Sequence, residues 1–271
     1  MLMKIYSTIT QAYEVLSILL YLLRAWPFSL WLNFWAANKD ETIVDLDGIK
    51  LAIRTKNIFA KSADISMAYE CIVRDDYQLK NLSIADRSVI IDIGGHIGSF
   101  SLAAARKFPK SEILCFEPSP SSCQILKKNI VLNKFRNIRA FNKAVSPAEG
   151  QIFFYIDSIN SAANSIYNTS GREVKVPSIT LEKIFRNNKI RKCAFVKMDC
   201  EGAEYGILLN APDEVLGKID SMVIEYHTPA HFGIGNKKYN VKNLVNKLES
   251  SGFKCTLKKM KHYQGVLAAR R

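Results

Sequence analysis

From residue 88 onward, short apolar runs of strand length alternate with segments of helical length, and this spacing limits the chain to few architectures. SVIIDI (88–93) reads as a buried strand, with a helix from Ser99 to about Lys107 behind it. SEILCFE (111–117) reads as a second strand. Ser119 then offers an N-cap and Pro120 a first helical position, for a helix reaching about Asn133. IRAFNKAVS (138–146) holds the third strand, QIFFYID (151–157) a strand from an insertion, and TLEKIF (180–185) a short helix. AFVKMD (194–199) and IDSMVIEYH (219–227) are the fourth and fifth parallel strands. A helix over 240–251 ends at Gly252, and strands near 253–259 and 264–269 follow. The expected fold is α/β, a doubly wound and mostly parallel sheet, which binds ligands beyond the carboxyl ends of its strands.

DIGGHIGSF (92–100) joins the first strand to its helix. Gly94 and Gly95 are expected to turn the backbone and let it approach a ligand, and Gly98 to let helix and strand pack closely. Glu117 ends the next strand, 19 residues beyond Gly98, where a carboxylate accepts the two hydroxyls of a ribose. Nicotinamide oxidoreductases use a related turn, so the glycines alone are weak evidence. Here the spacing is Gly-Gly-x-x-Gly, and Asp92 stands two residues ahead, where its charge would crowd a pyrophosphate. Asp92 instead suits a ligand with an amino group and no phosphate. S-adenosylmethionine has the ribose, the ammonium and a sulfonium. His96, inside the loop, reads as the filler of a variable position.

The runs VIIDIGGHIGSFSLAAA, CFEPSPSSCQILKKNIVLN, KAVS and VKMDCEGAE resemble the FkbM-type family of S-adenosylmethionine-dependent methyltransferases. The likeness spans about residues 65–270, and VKMDCEGAE is its most specific element. It implies a class I methyltransferase fold of seven strands with a reversed C-terminal hairpin, and O-methylation of a hydroxyl. The substrates it implies are sugars, glycolipid or polysaccharide units, and natural products. The cofactor set carried onto this chain is Asp92, Gly94, Gly95, Gly98, Glu117, Pro118, Ala144 and Asp199. Leu181-Glu182 stands where the family commonly has Leu-Asp.

Three carboxylates follow the fourth strand. Glu201 and Glu204 are three apart, and a helix starting near Gly202 would place both at its N-terminus, where the helix dipole favours negative charge. Asp199 ends the strand itself and reads as functional. It can orient the cofactor, take the acceptor's proton, or hold a divalent metal. The fifth strand ends in Glu225-Tyr226-His227, and alternation puts Glu225 and His227 on one side. The expected catalytic set is therefore Asp199, His227 and Glu225, with His227 or Asp199 as base. The metal variant places Mg2+ on Asp199 and Glu225 with waters. His231 and His262 have no convincing sequence context.

The first 87 residues carry ten Lys/Arg against ten Asp/Glu, so the net charge of +13 arises entirely from residues 88–271. No arginine stripe interleaved with aromatics accompanies it, which disfavours nucleic acid. The six cysteines form no Cys-x-x-Cys pair and no Cys/His cluster of zinc spacing, as expected of reduced cytosolic thiols. All three tryptophans fall within VLSILLYLLRAWPFSLWLNFWAA (15–37), a stretch interrupted by Arg24 and Pro27. Helices packed on the catalytic domain, peripheral membrane contact at the inner face, and a span are the readings open for it. The expected division is an apolar extension (1–40), a cap of hairpin and helix (41–87), and a cofactor-binding domain (88–271). Loops 157–180 and 227–240 are the expected substrate loops, the second as a lid. Two rival readings are a nicotinamide oxidoreductase and a non-catalytic scaffold that retains the fold.

Overall fold

The computed structural model describes residues 40–55, 58–156, 166, 171–260 and 264–271, with residues 58–62, 231, 232 and 259 described by backbone alone. The extension over 15–37, most of the loop before 171, and the side chains of His231 and His262 lie outside the described residues.

Asp47-Gly48 turns a two-residue hairpin between β1 (Glu41–Leu46) and β2 (Ile49–Arg54). Both turn residues have positive φ, 52° and 76°, as a tight hairpin of this hand requires. Helix α1 (Ile58–Ala68) continues as a π-helical turn over Tyr69–Arg74. Asp75 closes it at φ 61°, and its carboxylate accepts the N–H groups of Leu79 and Lys80 at 2.7 and 2.9 Å. The helical part of this region thus runs from Ile58 to Arg74 and is closed by Asp75.

The main sheet has seven strands in the order β11-β12-β10-β9-β3-β4-β5. Strands β3 (Val89–Ile93), β4 (Glu112–Phe116), β5 (Ile138–Phe141), β9 (Phe195–Asp199) and β10 (Ser221–His227) run parallel. Strand β12 (Gln264–Arg270) enters antiparallel between β10 and β11 (Lys254–Lys259). This is the class I methyltransferase sheet with its reversed C-terminal hairpin. Adjacent residues of β3 feed opposite faces, as a period of two demands. Ile90 packs with α2 (Ser99–Lys107), α3 (Pro120–Leu132) and the hairpin, while Ile91 packs with α4 (Leu181–Asn187), α5 (Glu204–Leu209), α6 (Asp213–Leu216) and α7 (Val241–Ser250). Side-chain oxygens of Ser119, Thr180 and Asn240 accept from Ser122, Lys183 and Asn243 N–H and so cap α3, α4 and α7.

Two expectations are corrected in this region. The run 138–146 divides, since only Ile138–Phe141 joins the main sheet. Ala144–Val145 (β6) leaves it to pair with β8 (Arg172–Ile179), which also pairs antiparallel with β7 (Gly150–Ile156). The last third of the expected loop 157–180, Arg172–Ile179, is therefore strand. In the second loop, residues 229–232 form a 3-10 turn, and Tyr239 stacks on Tyr205 with ring centroids 6.0 Å apart.

Candidate active site

The carboxyl ends of β3, β4 and β9 border one open cleft. Gly94, His96, Glu117, Pro118, Ala144 and Asp199 lie on its wall, with Met67 of α1 across from them. Gly94 has φ 78°, and a Cβ there would stand 1.7 Å from the Asp199 carbonyl oxygen. Its bareness lets the loop lie against the end of β9 and joins the two halves of the site. At Gly98 (φ 95°) a Cβ would meet Leu126 Cδ1 at 2.5 Å, so the close contact expected with a strand is made with α3.

Glu117 is buried at the end of β4. Its Oε2 accepts the His96 N–H at 2.7 Å and its Oε1 the Ser119 N–H at 2.8 Å. Burial pushes the carboxyl up to about 7 against these two N–H groups, which act to lower it. Each oxygen keeps a lone pair, so the group retains the capacity to accept two hydroxyls. His96 is no filler. It adopts φ 50°, and its Nε2 lies 2.8 Å from Arg54 Nη2 and 3.3 Å from Asp64 Oδ1. Burial and the Arg54 guanidinium lower the imidazole to about 4 despite Asp64, so it is neutral at physiological pH. Arg54 also binds Asp64 through its backbone N–H (2.8 Å), Nε (3.0 Å) and Nη2, tying the hairpin and α1 to the glycine loop.

Asp92 lies beneath the loop, fully buried, and is not among the residues that line the cleft. Its Oδ2 accepts from Ser101 Oγ at 2.6 Å, and Oδ1 faces Lys197 Nζ at 3.4 Å. The buried Lys197 ammonium donates to Gly94 O at 2.6 Å and lies 5.1 Å from the centre of the Tyr77 ring. Burial opposes its charge, but Asp92 and Asp199 outweigh burial and hold it above the usual lysine range. Asp92 and Lys197 thus act as a charged pin under the loop.

Asp199 and Glu225 stand opposite one another in the β9–β10 register. The buried Tyr77 hydroxyl is 3.1 Å from Asp199 Oδ2 and 3.1 Å from Glu225 Oε2. Asp199 Oδ1 is buried and has no hydrogen-bond partner. Gln264 of β12 donates to Glu225 Oε1 at 2.6 Å. His227 is 3% exposed, with Nδ1 3.2 Å from Glu204 Oε1 and Nε2 3.6 and 3.8 Å from Glu201 and Glu225. Burial lowers its affinity for a proton, but Glu204, Glu201 and Asp199 prevail and raise it to about 10. His227 is thereby drawn toward the imidazolium, the form that donates protons rather than accepts them. Helix α5 starts at Glu204, not Gly202, and the Glu204 carboxylate reaches back to the Cys200 and Gly202 N–H groups at 3.0 and 3.2 Å. Glu201 occupies a left-handed turn at φ 51°. Burial, Glu204 and Asp199 all raise the Cys200 thiol, which is thereby kept from nucleophilic use.

The expected magnesium pair, Asp199 and Glu225, is spanned by the Tyr77 hydroxyl. Asp199, Glu201 and His227 do bring one donor atom each within 4.8 Å of the others. Magnesium favours an all-oxygen octahedron, and a donor set that includes an imidazole does not fit that ion.

A family model described as "Methyltransferase FkbM domain" matches residues 92–255. The chain belongs to the FkbM methyltransferase family. Curated relatives are "Methyltransferase 1" of Beauveria bassiana and "Methyltransferase sdnD" of Sordaria araneosa. The first is 26% identical over 190 residues, covering 62% of this chain and 73% of the relative. The second is 26% identical over 186 residues, covering 57% and 71%. Among solved structures, TYW2 of M. jannaschii in complex with AdoMet aligns at TM-score 0.46 and 16% identity, covering 86% of each chain. Precorrin-6y C5,15-methyltransferase of Geobacter metallireducens aligns at TM-score 0.42 and 15% identity, covering 71% of this chain and 84% of that one. This FkbM-family protein is an S-adenosylmethionine-dependent methyltransferase. Among the described residues, no helix is long and apolar enough to cross a membrane.

Tyr77 and Lys197 escaped the sequence reading. Tyr77 meets its partners across 122 and 148 residues, with no local pattern to announce it. Lys197 did leave a signal, a lone cation at the centre of the apolar run AFVKMD.

Proposed function

We propose that the protein transfers the methyl group to a hydroxyl of a sugar, a glycolipid or polysaccharide unit, or a natural product, and that Asp199 takes the hydroxyl proton. The observation that carries this reading is Asp199 on the cleft wall, with Oδ2 held by Tyr77 and Oδ1 buried without a partner. A carboxylate in that position accepts a proton as the acceptor oxygen gains its new bond. When bound, S-adenosylmethionine supplies a methyl group on a sulfonium. Glu117 holds the ribose hydroxyls, while the glycine loop, Pro118 and Ala144 border the nucleoside. His227 lies beside Glu201 and Glu204, and its charge offsets their repulsion. The chemical step then depends on positioning, which this pinned arrangement supports.

Calorimetry with S-adenosylmethionine and its demethylated product tests the cofactor assignment. Glu117→Ala is expected to weaken binding by about tenfold or more, the loss of charge-assisted hydrogen bonds to two hydroxyls. Mass spectrometry of hydroxylated small-molecule and glycan fractions then reads the gain of one methyl group, with and without a chelator. Binding of NADH in place of S-adenosylmethionine would overturn the reading. Cofactor binding with no methylated product in any fraction would favour the scaffold.

A further inference from the structure

The Tyr77 hydroxyl owns one proton and touches two carboxylates, each at 3.1 Å. With both acids ionised, one O–H would be shared between two half-buried anions, and each would be left half satisfied. If one acid carries a proton, every group has a partner. Glu225 is the acid that gains most from it. Facing Glu225 are Asp199 from β9, Glu201 from the turn after β9, Glu70 from the π-helical turn and His227 from its own strand. Three of these are carboxylates and one is a cation. Gln264 from β12 donates to its Oε1. Lys197 lies beyond the Tyr77 ring, beside Asp92 and Asp199. Burial foremost, then Asp199, raises the Glu225 carboxyl well above its usual range, with His227 opposing.

We infer that Glu225 is kept as a neutral carboxylic acid whose Oε2–H donates to Tyr77, while the Tyr77 O–H donates to Asp199 Oδ2. The chain is directional, running Gln264, Glu225, Tyr77, Asp199. Every donor points toward Asp199, whose Oδ1 is left for the reacting hydroxyl. Glu225 and Tyr77 are positioning residues, since neither needs to touch the acceptor. Phe100, edge-on to Tyr77 at 5.9 Å, holds the ring in place. The inference rests on the proposed role of Asp199 only for its catalytic meaning, because the protonation state can be read without cofactor or acceptor.

The test compares the full-length protein with Glu225→Gln, whose amide keeps a donor for Tyr77 and an acceptor for Gln264, and with Glu225→Ala, which keeps neither. Folding a carboxyl with a raised pKa takes up a proton, so wild-type stability falls as pH rises above about 4.5. Glu225→Gln removes that loss. Its thermal midpoint, measured against wild type, is expected to climb between about pH 5 and pH 8, and Glu225→Ala is expected to lie below Glu225→Gln throughout. In infrared difference spectra, wild type minus Glu225→Gln shows the carbonyl band of a protonated carboxyl at neutral pH. Tyr77→Phe, which removes its hydrogen-bond partner, moves that band to higher frequency and serves if Glu225→Gln fails to fold. A midpoint difference that is flat with pH, no protonated-carboxyl band, or a band indifferent to Tyr77→Phe would overturn the inference. Failure of S-adenosylmethionine to bind would instead strike the proposed function and leave this result standing.

Discussion

Replacing Arg54 with methionine removes the cation from a carboxylate that has no access to water. The Asp64 side chain is 0% exposed, and Arg54 is 17% exposed. Methionine approximates the aliphatic length of arginine, so little packing is lost. The backbone N–H of residue 54 still donates to Asp64 Oδ2, but the guanidinium contacts to both carboxylate oxygens vanish. Breaking a buried ion pair on one side costs about 3–5 kcal/mol, and the partial exposure of Arg54 places this case near about 3 kcal/mol. For a chain of this size that corresponds to a fall of roughly 6–12 °C in the thermal midpoint. Urea unfolding followed by far-ultraviolet circular dichroism is the suitable assay, because every tryptophan precedes residue 40 and would report on the extension. Adding Asp64→Asn removes the stranded charge while keeping an oxygen for the residue 54 N–H, and the double variant should recover at least half the loss. A single variant within about 1 kcal/mol of wild type, or a double variant no better than the single, would refute the idea that this pair locks hairpin, α1 and glycine loop together.

Two further outcomes follow from the same geometry. Gly94→Ala forces a left-handed alanine and a Cβ against the Asp199 carbonyl; about 3 kcal/mol or more should be lost, and calorimetric S-adenosylmethionine affinity should drop with it. His227 has its folded pKa raised to about 10, so its charge stabilises the fold fully below about pH 6.5 and that contribution disappears as pH rises toward about 10. The stability gap between wild type and His227→Gln should accordingly narrow across that interval in denaturant titrations, and a gap that widens would contradict the imidazolium assignment.

Much of the frame was readable because its causes are local. Short apolar runs bounded by Ser119, Thr180 and Asn240 mark strands and capped helices, and Asp47-Gly48 can scarcely do other than turn a hairpin. Glu117 and Asp199 were readable because strand ends in this fold converge. What stayed hidden depends on distant partners. The pairing of β7 with β8 crosses a stretch outside the described residues, and neither strand alone states whom it will meet. Nothing near Asp92 in the sequence announces that Lys197, 105 residues later, faces it. His96 looks expendable until Arg54 and Asp64 arrive from the hairpin and α1. The neighbours of His227 in sequence likewise do not reveal that Glu204 and Glu201 crowd its ring.

The reversal of β12 has a consequence for how the enzyme comes into being. A parallel strand would reach the rim of the cleft with its last residue, but β12 starts there, with Gln264 set against His227 and beside Glu225. During synthesis, therefore, β3 and β4 emerge long before their supports: the glycine loop waits for Lys197 and Asp199 of β9, and Glu225 waits for Gln264. A nascent chain that has not yet emerged past Gln264 lacks the donor to Glu225 Oε1.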